Sequence, residues 1–255
     1  DSVNRGLGAP EDSTLQQLLH STEWTTPVRN CALEEYMVTE RHDDVLLLYR
    51  NTPSVILGRN QTVAAEIDGD FCRAHGIEVV RRLSGGGAVY HDLGNINYAF
   101  VSNKEASPVL DRDFLRPVVT LLQVLGVEAT VGKRKELLAG GRKISGTASH
   151  VTRNRQLFHG TLLHRTDLHM LEQALRGDRT ARGKGVASVP SPVANIAELL
   201  HSDETTEAFL ERFGALLLQY YGLSGYSPIS PNETERIAQI ERIRRRKQQA
   251  DNHGE

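Results

Sequence analysis

The residues best suited to chemistry lie in one stretch, Arg81-Arg82-Leu83-Ser84-Gly85-Gly86-Gly87-Ala88-Val89-Tyr90-His91-Asp92. Two cations precede three consecutive glycines, and an imidazole and a carboxylate follow. Glycine carries no Cβ and tolerates positive φ, so a ligand can lie directly on the backbone of such a turn. Its N–H groups can converge on an anion, and arginine adds full charge in a fork geometry. The pattern fits a cradle for a small molecule bearing a phosphate or a carboxylate. It also fits an ordinary glycine-rich hairpin at a strand edge.

Two further positions stand out. Lys143 follows the Gly140-Gly141 pair, and by a period of two it shares a strand face with Ser145 and Thr147, while Ile144 and Ala148 point the other way. That placement suits a cation entering a cleft, although a solvated hairpin lysine reads the same way. His159 lies in the apolar strand Leu157-Phe158-His159-Gly160-Thr161-Leu162-Leu163, where a hydrogen-bonded structural histidine is the commoner role. His91 and Asp92 are neighbours, so on a strand they face opposite sides and do not form a dyad. Both are read as architecture. Cys31 and Cys72 sit in helical patterns and read as small apolar packers.

The surrounding elements follow from periodicity. Asn30 is a good N-cap for a helix through Leu33, Tyr36 and Met37, with Glu34 and Glu35 in its first turns. Val45 to Tyr49 and Ser54 to Leu57 read as strands, Glu66 to His75 as a helix, and Ile77 to Val80 as a strand delivering Arg81 and Arg82 to the turn. Asp111 to Leu125 reads as a helix with Pro117 kinking it or marking its first turn, and Val127 to Val131 as a strand. Glu136 to Ser149 reads as a hairpin with Gly140-Gly141 at its tip, and Leu168 to Leu175 as a short helix. Arg176 to Pro192 reads as a long loop, Thr205 to Tyr221 as an amphipathic helix, and the tail from Asn232 as a polar helix. A short strand or helix is expected near Leu15–Leu19. Hairpin strands with interspersed helices make the fold class α+β (mixed α/β), with largely antiparallel sheets flanked by helices.

Composition excludes several classes. The 255 residues carry 30 Lys and Arg against 32 Asp and Glu, a net charge of −2, so no global field draws the chain to nucleic acid or to an anionic membrane. Two cysteines do not make a disulfide scaffold, and they fit a reducing compartment. No Cys/His cluster has zinc spacing, no Walker A or GxGxxG fingerprint occurs, and no GxSxG elbow is present. No apolar run approaches the ~20 residues of a membrane span. The sequence opens at Asp1 rather than at methionine, as a trimmed or processed chain would.

With these residues in view, Arg81 to Asn97 closely resembles the signature of the lipoate–protein ligase and lipoyltransferase family. Gly141-Arg142-Lys143-Ile144-Ser145-Gly146-Thr147-Ala148 is similar to its second signature, and Phe158 to Leu163 to its third. The resemblance runs from about Val28 to Tyr221. It implies a class II biotin/lipoate ligase-like fold, with ATP, Mg2+ and lipoate as ligands and lipoyl-AMP as the intermediate. In this reading Lys143 is catalytic. Arg82, Ser84, Gly85, Gly86, Gly87, Ala88, Val89, Tyr90, Lys143, Ser145, Gly146, Ala148, His159 and Gly160 bind the ligands, and no protein-held metal is expected. Arg82 would contact the nucleotide, and Val55, Val89 and Ile96 would help form the apolar slot. The implied partners are lipoyl-domain acceptors such as the 2-oxoacid dehydrogenase E2 or the glycine cleavage H-protein.

Some positions depart from the family pattern. Arg134-Lys135-Glu136 stands where ligases usually carry an Asn-Asp pair, and Pro190 stands where bacterial ligases usually carry arginine. The second departure resembles lipoyltransferases that accept preformed lipoyl-AMP. The expected organisation is a lead-in over 1–27, a catalytic domain over 28–223, and a linker with a helical tail over 224–255. The tail resembles only the opening helix of the family's accessory domain, which would then be missing or supplied as a separate chain. The expected location is the bacterial cytoplasm, or the mitochondrial matrix for a eukaryotic chain.

Overall fold

A computed structural model describes residues 15–20, 24–104, 110 and 112–253. In chain order the elements are β1 (Leu15–His20), α1 (Pro27–Thr39), β2 (Asp44–Tyr49), β3 (Ser54–Leu57), α2 (Val63–Glu66), α3 (Gly69–Ala74), β4 (Glu78–Arg81), β5 (Val89–His91) and β6 (Asn95–Asn103). They continue with α4 (Leu115–Val124), β7 (Thr130–Val131), β8 (Leu137–Ala139), β9 (Arg142–Ser145), β10 (Thr147–Val151), β11 (Arg155–Leu163), α5 (Leu168–Ala174), α6 (Ile196–Leu199), α7 (Thr206–Tyr221) and α8 (Pro231–His253). The class is α+β, as expected. A five-stranded sheet in the order β1-β2-β6-β11-β10 carries two three-stranded companions, β4-β3-β5 and β7-β8-β9. Pairing is antiparallel except for β1 with β2 and β3 with β4. No helix among the described residues is long and apolar enough to cross a membrane.

The interior strand β2 is apolar on both faces because both faces are covered. Leu46 and Leu48 join the core against α4 and α7, while Val45, Leu47 and Tyr49 join the core against α1 and α8. The same alternation divides β6: Tyr98 and Phe100 belong to the first core, Ala99 and Val101 to the second. Register then carries the division across the sheet. Tyr49 lies opposite Asn97, Asn97 opposite Thr161, and Ala99 opposite His159. Tyr49, Asn97, Thr161 and His159 therefore share the face that α1 covers, and this one-sided alignment is what builds the site.

Several boundaries differ from the sequence expectation. Helix α1 begins at Pro27, with Thr26 extended before it, because proline at the first position presets the helical φ. Asn30 is therefore buried within the helix, where its Nδ2 donates to Asn51 Oδ1 at 2.8 Å, and it is not a cap. Of the expected Glu66–His75 helix only Gly69–Ala74 forms, as α3, because Asp68 accepts from Phe71 N and starts it afresh; Glu66 instead ends α2. Helix α4 starts at Leu115, where Asp113 accepts from the first free N–H groups; Asp111 lies outside the described residues. Val127 to Ala129 close that helix, so only Thr130–Val131 pair as a strand.

The polar tail α8 lies along α1. Ile237 and Ile240 are buried, and ion pairs Arg41–Glu233 at 2.7 Å, Arg29–Glu241 at 2.8 Å and Arg244–Glu35 at 2.5 Å flank them. Partly exposed pairs of this kind contribute up to about 1 kcal/mol each, so the two isoleucines anchor the helix more firmly than the charges do.

Candidate active site

The glycine turn is organised from behind by Arg82. Its guanidinium is buried, and burial pushes its pKa down to about 10. Nε donates to Ser84 Oγ at 2.8 Å, Nη1 to Ile56 O at 2.9 Å, and Nη2 to Gly85 O at 2.6 Å and Gly87 O at 2.7 Å. A trans peptide points its N–H opposite to its carbonyl. Turning the Gly85 and Gly87 carbonyls onto Arg82 therefore aims the N–H groups of Gly86 and Ala88 away from it. Gly86 has φ +85°, which an L side chain rarely adopts. Arg82, expected to contact the nucleotide, lines the first cavity and gives these four hydrogen bonds to the turn and its neighbouring strand.

A buried relay runs from that turn to α1. Ser84 Oγ lies 2.6 Å from His159 Nε2, and His159 Nδ1 faces both Glu34 oxygens at 2.9 and 3.0 Å. Tyr49 Oη donates to Glu34 Oε1 at 2.9 Å. Burial alone would raise the Glu34 pKa, but the charge and hydrogen bond of His159 and the bond from Tyr49 outweigh it and hold the carboxyl below its ordinary range. His159 and Ser84, both expected ligand residues, are thus parts of an ionic wall.

Lys143 enters from β9. Its backbone is clamped by the following loop: Lys143 N donates to Pro192 O at 2.8 Å, and Ala194 N donates to Lys143 O at 3.0 Å. The ammonium makes no hydrogen bond among the described residues. It lies over Gly146, where a Cβ would stand 3.2 Å from Nζ. Burial and then the neighbouring Arg134 pull its pKa down, opposed by Glu136.

The expected hairpin ends at Gly146. Beyond it β10 leaves β9 and pairs with β11, so the period of two does not carry through to Thr147. Ser145 is fully buried, with Oγ 3.4 Å from Tyr98 Oη, and it does not line the cleft. Gly140 and Gly141 form the tip as expected, with φ +57° and +74°.

Two cavities meet at Lys143. The first, about 320 Å³, is lined by Cys31, Glu34, Tyr49, Ile56, Arg82, His91, Asn97 and His159 toward its inner end, and by Gly86 to Val89, Arg134, Glu136, Lys143, Gly146 and Ala148 elsewhere. The second, about 500 Å³, lies between α5 and the 184–193 loop, with Tyr90, Glu66, Arg176 and Arg179 on its wall. Both share Ala88, Val89, Lys143, Gly146 and Thr161. Ser188 closes the loop onto the turn: its Oγ accepts from Ala88 N at 2.9 Å and from Gln61 Nε2 at 3.1 Å. An anion-seeking turn, a buried relay and an unpaired ammonium thus share one bilobed cleft.

The sequence profile of the lipoyl protein ligase A/B catalytic domain matches residues 26–217. The chain belongs to this family. It is 42% identical over 187 residues to lipoate-protein ligase LplJ of Bacillus subtilis, covering 72% of this chain and 56% of that protein. It is 40% identical over 189 residues to lipoate–protein ligase 1 of Staphylococcus aureus, covering 72% and 58%. The chain spans about half the length of the curated relatives it matches. Among solved structures, a T. acidophilum protein with bound lipoic acid superposes with a TM-score of 0.71 at 26% identity, covering 88% of this chain and 93% of that one. Lipoate-protein ligase A bound with ATP gives 0.71 at 25% identity, with the same coverage. The fold is that of the biotin/lipoate ligase class.

Within this ligase-family cleft, most expected residues are brought together. Gly86, Gly87, Ala88, Val89, Lys143, Gly146, Ala148, His159 and Gly160 line the first lobe, and Tyr90 the second. Ser84 and Gly85 lie behind or beside the lining. Gly160 does line the first lobe, but the Cβ it lacks would run into the Tyr98 ring on the far side of the sheet. Of the expected apolar slot, only Val89 lines the cavity. Ile56 replaces Val55, and Ile96 faces the opposite core, because neighbouring strand residues alternate. Glu34, Tyr49, Asn97, Glu136 and Ser188 were missed as site residues. Glu34 left one signal: with Asn30, Leu33 and Met37 it falls on the buried helical face, an odd place for a carboxylate. His91, read as architecture, lines the cavity, while Asp92 faces away and accepts from Gly94 N and Asp167 N.

Proposed function

We propose that this domain is an ATP-dependent lipoate–protein ligase: it activates lipoate as lipoyl-AMP and passes the lipoyl group to a lysine of a lipoyl-domain acceptor. The observation that carries this reading is the Lys143 ammonium, without a hydrogen-bond partner among the described residues, where the two lobes meet. The acyl chain occupies the first lobe and the nucleotide the second. The lipoate carboxylate attacks the α-phosphorus of ATP and pyrophosphate leaves. The acceptor amine then attacks the acyl carbonyl and AMP leaves. Lys143 faces the charge that develops on the phosphoryl oxygens in the first step and on the carbonyl oxygen in the second. The N–H groups of Gly86 and Ala88 add fixed donors, once Ser188 releases the latter.

Magnesium fits as an ion carried in on ATP. Among the described residues no three acidic, His or Cys side chains converge to hold a metal. A phosphate-borne Mg2+ that keeps its waters needs only one or two carboxylates, and Glu136 lines the cleft beside Lys143. E2 or H-protein lipoyl domains are the proposed acceptors. One structure sharing the fold, at 24% identity, is described as a bi-partite lipoate protein ligase and its E2 lipoyl domain.

A second reading, transfer from preformed lipoyl-AMP, rests on Pro190 in the loop beside Lys143. Incubation with ATP, magnesium, lipoate and an apo lipoyl domain, read by intact mass of the acceptor, separates the two. Modification with ATP supports the ligase. Modification only with supplied lipoyl-AMP supports the transferase. Modification with neither would refute both.

A further inference from the structure

Arg81, the first cation before the glycine turn, lines neither cavity. Its guanidinium instead holds the turn that follows β3: Nη1 donates to Gly58 O at 3.0 Å and to Gln61 O at 2.8 Å. That turn touches both walls of the cleft. On the glycine side, Arg59 N donates to Ser84 O at 2.8 Å. On the loop side, Val186 N donates to Asn60 O at 3.0 Å, and Gln61 Nε2 donates to Val186 O at 3.3 Å and to Ser188 Oγ at 3.1 Å. Gln61 Oε1 accepts from Gly58 N at 2.9 Å, which keeps the Gln61 amide aimed at the loop.

Arg81 is itself held from outside by α8. Strand β4 is an edge of its sheet, and Arg82 N donates inward to Leu57 O, so the Arg81 carbonyl of the same peptide points outward. Arg244 Nη1 donates to it at 3.0 Å, and Gln248 Nε2 donates to Val79 O, one strand repeat earlier. The spacings match, since four helix residues rise about 6 Å and two strand residues about 6.6 Å. Arg244 Nε also donates to Glu35 of α1 at 2.5 Å, and the arginine side chain is only 15% exposed. Covering a strand edge needs no particular residue at one carbonyl. A mostly buried guanidinium that bridges α1 to the peptide between Arg81 and Arg82 also fixes where that peptide lies.

We propose that Arg244 and Arg81 form a brace that holds the two walls of the cleft, the glycine turn and the 184–193 loop, in fixed relation, and that Arg244 is thereby a positioning residue for acyl-adenylate formation. The catalytic consequence rests on the ligase reading; the brace does not. Lys143 acts only on a substrate held between those walls, so slack between them lowers the rate although no group touching substrate has been removed. Losing one hydrogen bond from a charged donor corresponds to about tenfold.

Hydrogen exchange on the full chain without substrates reads the brace directly. In Arg244→Met the amides of Arg59, Ala88 and Val186 should exchange about tenfold faster than in wild type. Glu35→Gln removes the charge beside Arg244 but keeps an acceptor for its Nε and leaves the bond to Arg81 O, so exchange at those amides and turnover should stay unchanged. Arg81→Met, the second variant if Arg244→Met does not fold, should loosen the same three amides. With ATP, magnesium and lipoate, Arg244→Met should lower kcat for lipoyl-AMP formation about tenfold at an unchanged KM for lipoate. Unchanged exchange in a folded arginine variant overturns the brace. An equal effect in Glu35→Gln also overturns it, because loss of the contact between α8 and α1 would then be sufficient cause. Faster exchange with undiminished kcat would overturn the positioning role. A wild type that makes no lipoyl-AMP, with exchange as expected, would refute the ligase reading alone.

Discussion

Replacing Glu34 with Gln tests whether the buried relay is ionic. The carboxylate is 3% exposed and accepts from His159 Nδ1 and Tyr49 Oη. Gln keeps the shape and an acceptor oxygen but removes the charge. Hydrogen bonds to a charged group contribute about 1.5–3 kcal/mol, so a loss of about 2 kcal/mol is expected at pH 7. For a chain of this size that lowers Tm by about 4–8 °C. The pH dependence adds a sign. The folded Glu34 pKa lies below its ordinary 4.5, so the unfolded chain takes up the proton first. The stabilisation is therefore present above pH 4.5 and is lost as pH falls through the folded value. Thermal melts of wild type and Glu34→Gln between pH 8 and pH 3 should show a gap that is constant above pH 5 and narrows in acid. A gap below 1 °C at pH 7, or one that does not change on acidification, would refute an ionised Glu34 as the anchor of the relay.

Other consequences are equally direct. Lys143→Ala should slow acceptor modification by about 10²–10³-fold. Its ammonium holds no hydrogen bond among the described residues, so the melting curve should shift by no more than about 0.5 kcal/mol. Undiminished turnover would remove Lys143 from the mechanism. Gly86→Ala places a Cβ at φ +85° and 3.2 Å from Arg82 Nη2. A destabilisation of about 1–3 kcal/mol in urea titrations is expected, and an unmoved midpoint would count against the strained turn. Burial pushes the Cys31 thiol up to about 12. At pH 8 almost none of it is thiolate, so its alkylation should be far slower than that of a free cysteine, and it should form no mixed disulfide with added lipoate. Rapid labelling of the folded chain, followed by peptide mass mapping, would contradict this.

Most residues of the three signature stretches come to line the cleft, because turn glycines, flanking cations and strand alternation are local properties. Gly86, Lys143 and His159 were legible in that way. Helix starts were less so: Pro27 and Asp68 decide where α1 and α3 begin, and nearby good cap residues such as Asn30 compete with them. What sequence could not supply is which strand lies beside which. The relay spans 125 positions from Glu34 to His159. Only the order β2-β6-β11, with α1 laid over one face, puts Tyr49, Asn97, Thr161, His159 and Glu34 around a single cavity. Arg82 shows the same limit in one residue. Its type and spacing announce a cation beside a glycine turn, but four backbone and side-chain acceptors, assembled only by the fold, turn that cation inward. Residue type determines what a side chain can do; the packing around it decides which of those options remains open.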